Sequence, residues 1–229
     1  CHIGSQLFDL SGYGAAAAIV ADFAASCGGD DLRVMDMGGG LGIAYTRDDR
    51  PAAVEDYAEA VVEAVRGEWG RVGLAMPRVL VEPGRSIVGR AGVTLYRVGG
   101  VKEIPGVRTY ASVDGGMSDL MRPMLYGAVY EPLLANRAEA EPTETLRLVG
   151  KHCESGDVLA RDATIPETVK VGDLLATPVT GAYGHSMGSN YNMARRPAVV
   201  FVGDGDARLV VRRETDDDLL ARDLVAGPD

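Results

Sequence analysis

Leu32-Arg33-Val34-Met35-Asp36-Met37-Gly38-Gly39-Gly40-Leu41-Gly42 is the stretch that decides the fold. A short apolar run ending in glycines reads as a buried strand that opens into a loop. Upstream, residues 13–25 are Ala-rich with Ile19, Val20 and Phe23, a helix pattern that Gly28-Gly29 stops. Downstream, residues 51–69 repeat Val54, Tyr57, Ala58, Val61, Val62 and Val65 at helical spacing, with Pro51 suited to a first turn. Residues 78–82 (RVLVE) form a second strand, stopped by Pro83-Gly84. Strand, loop and helix in repeated order predict a parallel α/β array over residues 1–90.

The pattern changes after Gly89. Residues 93–101, 109–113, 146–149, 174–179, 198–202 and 209–213 are β-rich and separated by Gly, Pro and Asp. They predict a mainly antiparallel β domain over residues 91–229, with a closing helix at residues 216–224. The fold class is therefore α/β plus β. A closed (β/α)8 barrel needs about 250 residues, so the α/β part is a small open sheet or the end of a longer barrel.

The 229 residues are 46% hydrophobic and carry a net charge of −10. An acidic balance argues against nucleic-acid binding, which needs a basic face. No run approaches the roughly 20 apolar residues of a membrane span. The opening Cys1-His2-Ile3-Gly4-Ser5 lacks a basic region followed by an apolar stretch, so no signal peptide is expected. Three cysteines, Cys1, Cys27 and Cys153, show no C-x-x-C spacing, which fits a reducing, cytoplasmic setting.

Several loops hold residues able to do chemistry. The Gly38–Gly42 turn can cradle a phosphate or be a plain tight turn. Glu82-Pro83-Gly84-Arg85 sits at the end of a strand, the edge where α/β folds bind ligands, and can equally be a surface ion pair. His2 and Ser5 are a ring and a hydroxyl in a turn, with structural roles open to both. In residues 114–126, Arg122 and Tyr126 share a face if the segment is helical, as a carboxylate clamp or as core. Lys151-His152-Cys153-Glu154 is dense in titratable groups, and Cys153 is either a proton donor or an inert thiol.

Seven ordered motifs carry a resemblance: HIGSQ (2–6), MDMGGGLGIAY (35–45), VEPGRSIVG (81–89), SVDGGMSDLMRPMLYG (112–127), VGKHCESGD (149–157), TGAYG (180–184) and YN (191–192). Together they resemble the diaminopimelate decarboxylases, pyridoxal-phosphate enzymes of the alanine-racemase-like class. The resemblance implies the C-terminal part of a (β/α)8 barrel followed by a β-barrel domain. It implies decarboxylation of meso-2,6-diaminopimelate to L-lysine and CO2, the last step of lysine synthesis. It gives His2 a stacking role on the pyridine ring. Ser5, Gly39, Gly40 and the backbone from Glu82 through Gly84 to Arg85 would hold the phosphate, and Glu82 would pair with the pyridine nitrogen. Arg85, Arg122 and Tyr126 would bind the substrate's distal end, and Glu154 its distal amine. Cys153 would be the general acid, and Tyr183 would touch cofactor and substrate. It further implies a homodimer whose sites are shared between subunits, and no metal.

The family's cofactor-holding lysine lies upstream of HIGSQ. Lys102, Lys151 and Lys170 do not match it, so the 229 residues are expected to be a segment of a longer polypeptide and inactive alone. Three competing readings stand beside this one: a related ornithine, arginine or carboxynorspermidine decarboxylase, a non-catalytic homologue, and a binder of a phosphorylated small molecule.

Overall fold

The computed structural model describes residues 1–166 and 169–224, the Asp30 side chain excepted. It divides into two compact units, Cys1–Gly92 and Val93–Asp229.

The first unit holds α1 (Ser11–Ser26), β1 (Val34–Asp36), α2 (Val54–Arg71), β2 (Arg78–Leu80) and the short α3 (Gly84–Val88). Helix α1 buries Tyr13, Ala17, Ala21 and Ala24, and α2 buries Tyr57, Val61, Val65 and Trp69. Steps of three and four residues put each set on one face, and the two faces pack together with Met35, Met37 and Leu41. Small alanines on α1 leave room for the large rings on α2. Ile19 and Phe23 face away from this core, at 71% and 67% exposure. The α2 helix begins later than its composition suggests. Ala53 is extended (φ −67°, ψ 155°) and acts as the N-cap, so Pro51 lies outside the first turn. Glu55 and Asp56 then occupy that turn, where carboxylates favour the helix dipole. Strands β1 and β2 pair in parallel, Val34 with Arg78 and Asp36 with Leu80, and α2 is the crossover. Two strands close no barrel among the described residues, so the α/β reading holds in its coarse form.

The second unit is built on a six-stranded sheet. Its strands are β3 (Val93–Ile104), β4 (Arg108–Val113), β5 (Leu133–Leu134), β6 (Glu144–Val149), β7 (Val158–Ile165) and β8 (Leu174–Pro178), and α4 (Arg122–Tyr126) precedes β5. The order is β5-β8-β3-β4-β6-β7. All pairs are antiparallel except β4 with β6. The sheet is mainly antiparallel, as expected, and the one parallel pair arises because the chain makes a long excursion through α4 and β5 before β6 and re-enters at the same end. The outer strands β5 and β7 approach each other, but no ladder joins them among the described residues. Alternate residues of the sheet, Tyr96, Val98, Ala111, Val113, Leu146, Leu148 and Leu175, are buried. A separate hairpin joins β9 (Val199–Gly203) to β10 (Asp206–Val211). Its Asp204-Gly205 turn takes positive φ at both residues (52° and 83°), the hand that matches strand twist. The closing helix α5 (Asp216–Leu220) is shorter than its sequence pattern. It opens with a capping box between Thr215 and Asp218. Residues 225–229 lie outside the described residues.

Candidate functional site

The site residues fall into two groups, one in each unit. In the first unit, residues 38–42 leave the C-terminal end of β1, and Glu82 follows the end of β2 beside them. The Glu82 N–H donates to Gly38 O at 2.8 Å and the Met37 N–H to Leu80 O at 3.0 Å, so the two strand ends are stitched together. The HIGSQ segment closes over the turn: the Leu7 N–H donates to Gly40 O (2.8 Å) and the Gly42 N–H to Leu7 O (2.9 Å). Gln6 makes a two-way pairing with the Ile43 backbone.

Glycine is required here by space. A Cβ at Gly38 would lie 2.4 Å from Cys1 O, and one at Gly39 2.3 Å from Glu82 O. At Gly40, φ is +112°, and a Cβ would lie 2.8 Å from both Gly4 O and the Tyr13 Oη. The turn is thus packed so closely by backbone that only glycine fits, which leaves its backbone bare on the other side. His2 Nδ1 accepts the Gly39 N–H at 3.2 Å, which leaves Nε2 as the protonated nitrogen and fixes the ring beside the turn. The Glu82 carboxylate is exposed and bonds to no described residue. Arg85 donates Nη2–H to Ser5 Oγ (2.8 Å) and Nη1–H to the Tyr45 hydroxyl, and its guanidinium lies 5.6 Å from the Tyr45 ring centroid. Gly84 donates its own N–H to Glu82 O at 2.8 Å, so in this conformation that amide is committed within the chain. His2, Ser5, Gly39, Gly40, Glu82, Gly84 and Arg85 therefore form one cluster at the carboxyl ends of two parallel strands, where a phosphorylated ligand is expected in an α/β fold.

In the second unit the loop after β4 meets the loop after β6. Their junction is Asp157, 3% exposed. Its carboxylate accepts the Met117 N–H (2.7 Å) from one loop and the His152 N–H (2.9 Å) from the other. A Cβ at Gly116 or Gly150 would press into that carboxylate, at 2.6 and 2.1 Å. The Lys151 N–H donates to Gly115 O at 2.9 Å. Ser118 donates to Asp119 Oδ1 (3.0 Å), so His152 Nε2–H is the donor to Ser118 Oγ (2.8 Å). The Tyr191 ring meets the His152 ring edge-on at 5.3 Å. Burial, and then the Asp119 charge, push the nearby Tyr96 phenol well above its ordinary range. Cys153 and Glu154 stand on the exposed crest of this stapled loop, with Glu154 Oε1 accepting the Gly156 N–H at 3.1 Å.

Arg122 and Tyr126 do lie on one short helix, α4, but they differ sharply. Arg122 is 6% exposed and donates to the Tyr130 hydroxyl at 2.6 Å, stacked 5.6 Å from that ring's centroid, while Tyr126 is 65% exposed. Tyr183 sits in a turn with φ 58°, 43% exposed. Sequence reasoning missed Tyr13, Tyr45, Tyr57, Ser118, Tyr130 and Asp157. Tyr13 and Tyr57 fall in helical patterns and Tyr45, Ser118 and Asp157 in the quoted motifs, but nothing in the sequence marks their hydrogen-bond partners, and Tyr130 carries no signal at all.

A pyridoxal phosphate fits the first cluster: the glycine cradle for the phosphate, an exposed carboxylate for the ring nitrogen, and an oriented imidazole beside them. No group of metal-ligating side chains is present among the described residues, and no described helix is long and apolar enough to cross a membrane.

Comparison with known proteins agrees with this chemistry. Residues 18–181 match the family model described as "Pyridoxal-dependent decarboxylase, C-terminal sheet domain". The chain is 51% identical over 227 residues to the diaminopimelate decarboxylase of Bacillus subtilis, covering 98% of this chain and 52% of that protein. Among solved structures, the diaminopimelate decarboxylase of M. jannaschii in complex with L-lysine superposes with a TM-score of 0.89 at 37% identity, over 99% of this chain and 51% of that one. The lysine/ornithine decarboxylase of Vibrio vulnificus complexed with putrescine is more distant, with a TM-score of 0.70 at 26% identity over 85% of this chain and 51% of that one. The chain spans about half the length of the curated relatives it matches. With the family model covering most of its residues, this chain belongs to the pyridoxal-dependent decarboxylases.

Proposed function

We propose that the polypeptide containing this chain decarboxylates meso-2,6-diaminopimelate to L-lysine and CO2 with pyridoxal phosphate. The observation that carries the reading is the glycine cradle at Gly38–Gly40, enclosed by His2 and Glu82. The 51% identity to a diaminopimelate decarboxylase, against 26% to a lysine/ornithine decarboxylase, favours the larger, doubly zwitterionic substrate.

When bound, pyridoxal phosphate supplies the electron sink that takes up the electrons left as CO2 departs. The chain's own residues do the rest. Ser5, the Gly39–Gly40 backbone and the segment from Glu82 through Gly84 to Arg85 would hold the phosphate, the Gly84 N–H having first to leave Glu82 O. Glu82 would keep a proton on the pyridine nitrogen, and His2, whose Nδ1 accepts the Gly39 N–H, would stack on the ring. Arg85, Arg122 and Tyr126 bind the distal carboxylate, and a planar guanidinium suits it better than an ammonium. Glu154 takes the distal amine, and Tyr183 contacts both cofactor and substrate. Cys153 would deliver a proton to the carbon that lost CO2, and the Asp157 bonds to the Met117 and His152 N–H groups support this by fixing the backbone of its loop. The active form is a homodimer in the cytoplasm, with the Cys153 loop of one subunit serving the site of the other.

Turnover of meso-diaminopimelate and of ornithine by the full-length protein tests the substrate. Strong preference for ornithine, or no cofactor absorbance, overturns the reading. Mixing Cys153→Ala subunits with Arg122→Ala subunits tests sharing: verified heterodimers should regain activity that neither parent homodimer has.

A further inference from the structure

Two buried tyrosines stand behind the glycine turn, and the reaction as described gives neither a task. Tyr13 of α1 and Tyr57 of α2 are 0% and 1% exposed. Their rings meet edge to face, with centroids 5.3 Å apart and an interplanar angle of 74°. A buried phenol has to find a partner for its hydroxyl. Tyr13 finds it in the turn, donating to Gly39 O at 2.8 Å; the Tyr57 hydroxyl pairs with that of Tyr13 and also reaches Gly38 O at 3.5 Å, where the Glu82 N–H is the closer donor. Burial raises both phenols, so they remain protonated donors.

The geometry of the peptide converts this into a direction. In a trans peptide the C=O and the following N–H point to opposite sides, and the described chain has no cis bond. Drawing the Gly39 carbonyl toward Tyr13 therefore turns the Gly40 N–H away from the helices. Drawing the Gly38 carbonyl inward does the same for the Gly39 N–H, which His2 Nδ1 accepts. The Gly40 N–H finds no acceptor among the described residues. Gly40 is itself pressed against the pair, since a Cβ there would sit 2.8 Å from the Tyr13 Oη.

We infer that Tyr13 and Tyr57 are positioning residues for the cofactor phosphate, holding the carbonyls of Gly38 and Gly39 inward so that the Gly40 N–H faces the anion. The inference rests on the reading of this turn as a phosphate cradle. It assigns a binding function to residues that touch no ligand.

The test uses the full-length protein and two ligands that differ only in the phosphate. Pyridoxal phosphate and pyridoxal are each titrated by absorbance into wild type, Tyr13→Phe and Tyr57→Phe. Phenylalanine keeps the ring packing and removes the hydroxyl. Tyr13→Phe should weaken pyridoxal phosphate about tenfold, as loss of one hydrogen bond allows, and leave pyridoxal within about twofold. Tyr57→Phe, with the longer bond, should show the same selectivity loss at smaller size. Equal weakening of both ligands means a purely structural role and overturns the inference, as does an unchanged preference in both variants. Should Tyr13→Phe fail to fold by circular dichroism, Tyr57→Phe decides by the same ratio. A wild type with no preference for the phosphorylated ligand sinks the cradle reading itself, whereas a preference kept by the variants sinks only the role of the tyrosines.

Discussion

Replacing Asp157 by Asn should loosen the loop that carries Cys153 without changing its shape. The Asp157 side chain is almost fully buried and accepts two backbone N–H groups from two different loops, at 2.7 and 2.9 Å. An amide has one acceptor oxygen, so one of the two N–H groups must face an NH2 instead. Hydrogen bonds to a charged group contribute about 1.5–3 kcal/mol each. The loss is then about 1.5–3 kcal/mol of local stability, which corresponds to a roughly 10- to 140-fold larger open population at about 1.4 kcal/mol per tenfold. Relaxation is limited because Gly116 and Gly150 already crowd the carboxylate. Hydrogen exchange followed by mass spectrometry reads this directly in peptides containing Met117 and His152. Alkylation of Cys153, resolved from Cys1 and Cys27 by peptide mass, should change little, because its thiol is exposed already in the closed loop. The control is Asp162→Asn on an exposed position of β7. Unchanged protection at both amides in Asp157→Asn, or equal change in the control, refutes the reasoning.

Other perturbations give equally definite outcomes. Gly39→Ala should cost about 1–3 kcal/mol and abolish cofactor binding, because its Cβ meets Glu82 O at 2.3 Å. Gly67→Ala, in the middle of α2 with open space around it, should stabilise by about 0.5–1 kcal/mol, both being measured by urea unfolding with the single tryptophan, Trp69, as reporter. Arg122→Lys should raise KM for diaminopimelate by about tenfold or more, since an ammonium cannot reproduce the stacked, planar contact with Tyr130; an unchanged KM in steady-state assays would remove Arg122 from the clamp. Glu214 is held down to about 2 by the Arg196 side chain and N–H, with Asn190 adding a further bond. A depressed carboxylate contributes stability that is present above its ordinary value near 4.5 and lost as pH falls toward 2. Glu214→Gln should therefore flatten the stability profile between pH 4.5 and 2 in acid unfolding followed by circular dichroism.

The α/β unit was legible because its signals are local. Each of Tyr57, Val61, Val65 and Trp69 lies four residues from the next, and strand β1 ends in glycines that stop it visibly. What was not legible depended on distant parts of the chain. The start of α2 is set by the extended backbone at Ala53, which overrides the preference of Pro51 for a first turn. Strand β7 was missed because Arg161 and Asp162 interrupt its alternation, and both are exposed where β6 pairs with it from one side. The parallel pairing of β4 and β6 is a property of the whole excursion between them, and no residue within either strand encodes it. The chemically reactive residues were readable as motifs, but their states were not. Nothing in the spacing of Arg122 and Tyr126 distinguishes a buried guanidinium from an exposed phenol one turn away.

The residues that would meet a ligand and the residues that place them are different kinds of residue. His2, Glu82, Cys153 and Glu154 are exposed and stand on loops, where they gain little from packing. A loop side chain left to itself samples many rotamers, and a site loses rate steeply with small misplacements. The fixing groups are buried and polar: Tyr13 and Tyr57 under the glycine turn, Asp157 and Ser118 under the Cys153 loop. Each spends its hydrogen bonds on backbone or on another anchoring side chain, which sets the path of the loop rather than the orientation of one group. Substitution of such an anchor by an isostere should then change affinity or proton delivery while leaving every contacting side chain in place. A motif search passes over Tyr13 and Tyr57 and gives Ser118 and Asp157 no role, yet a buried phenol or carboxylate bonded to a functional loop is the feature by which they are recognised.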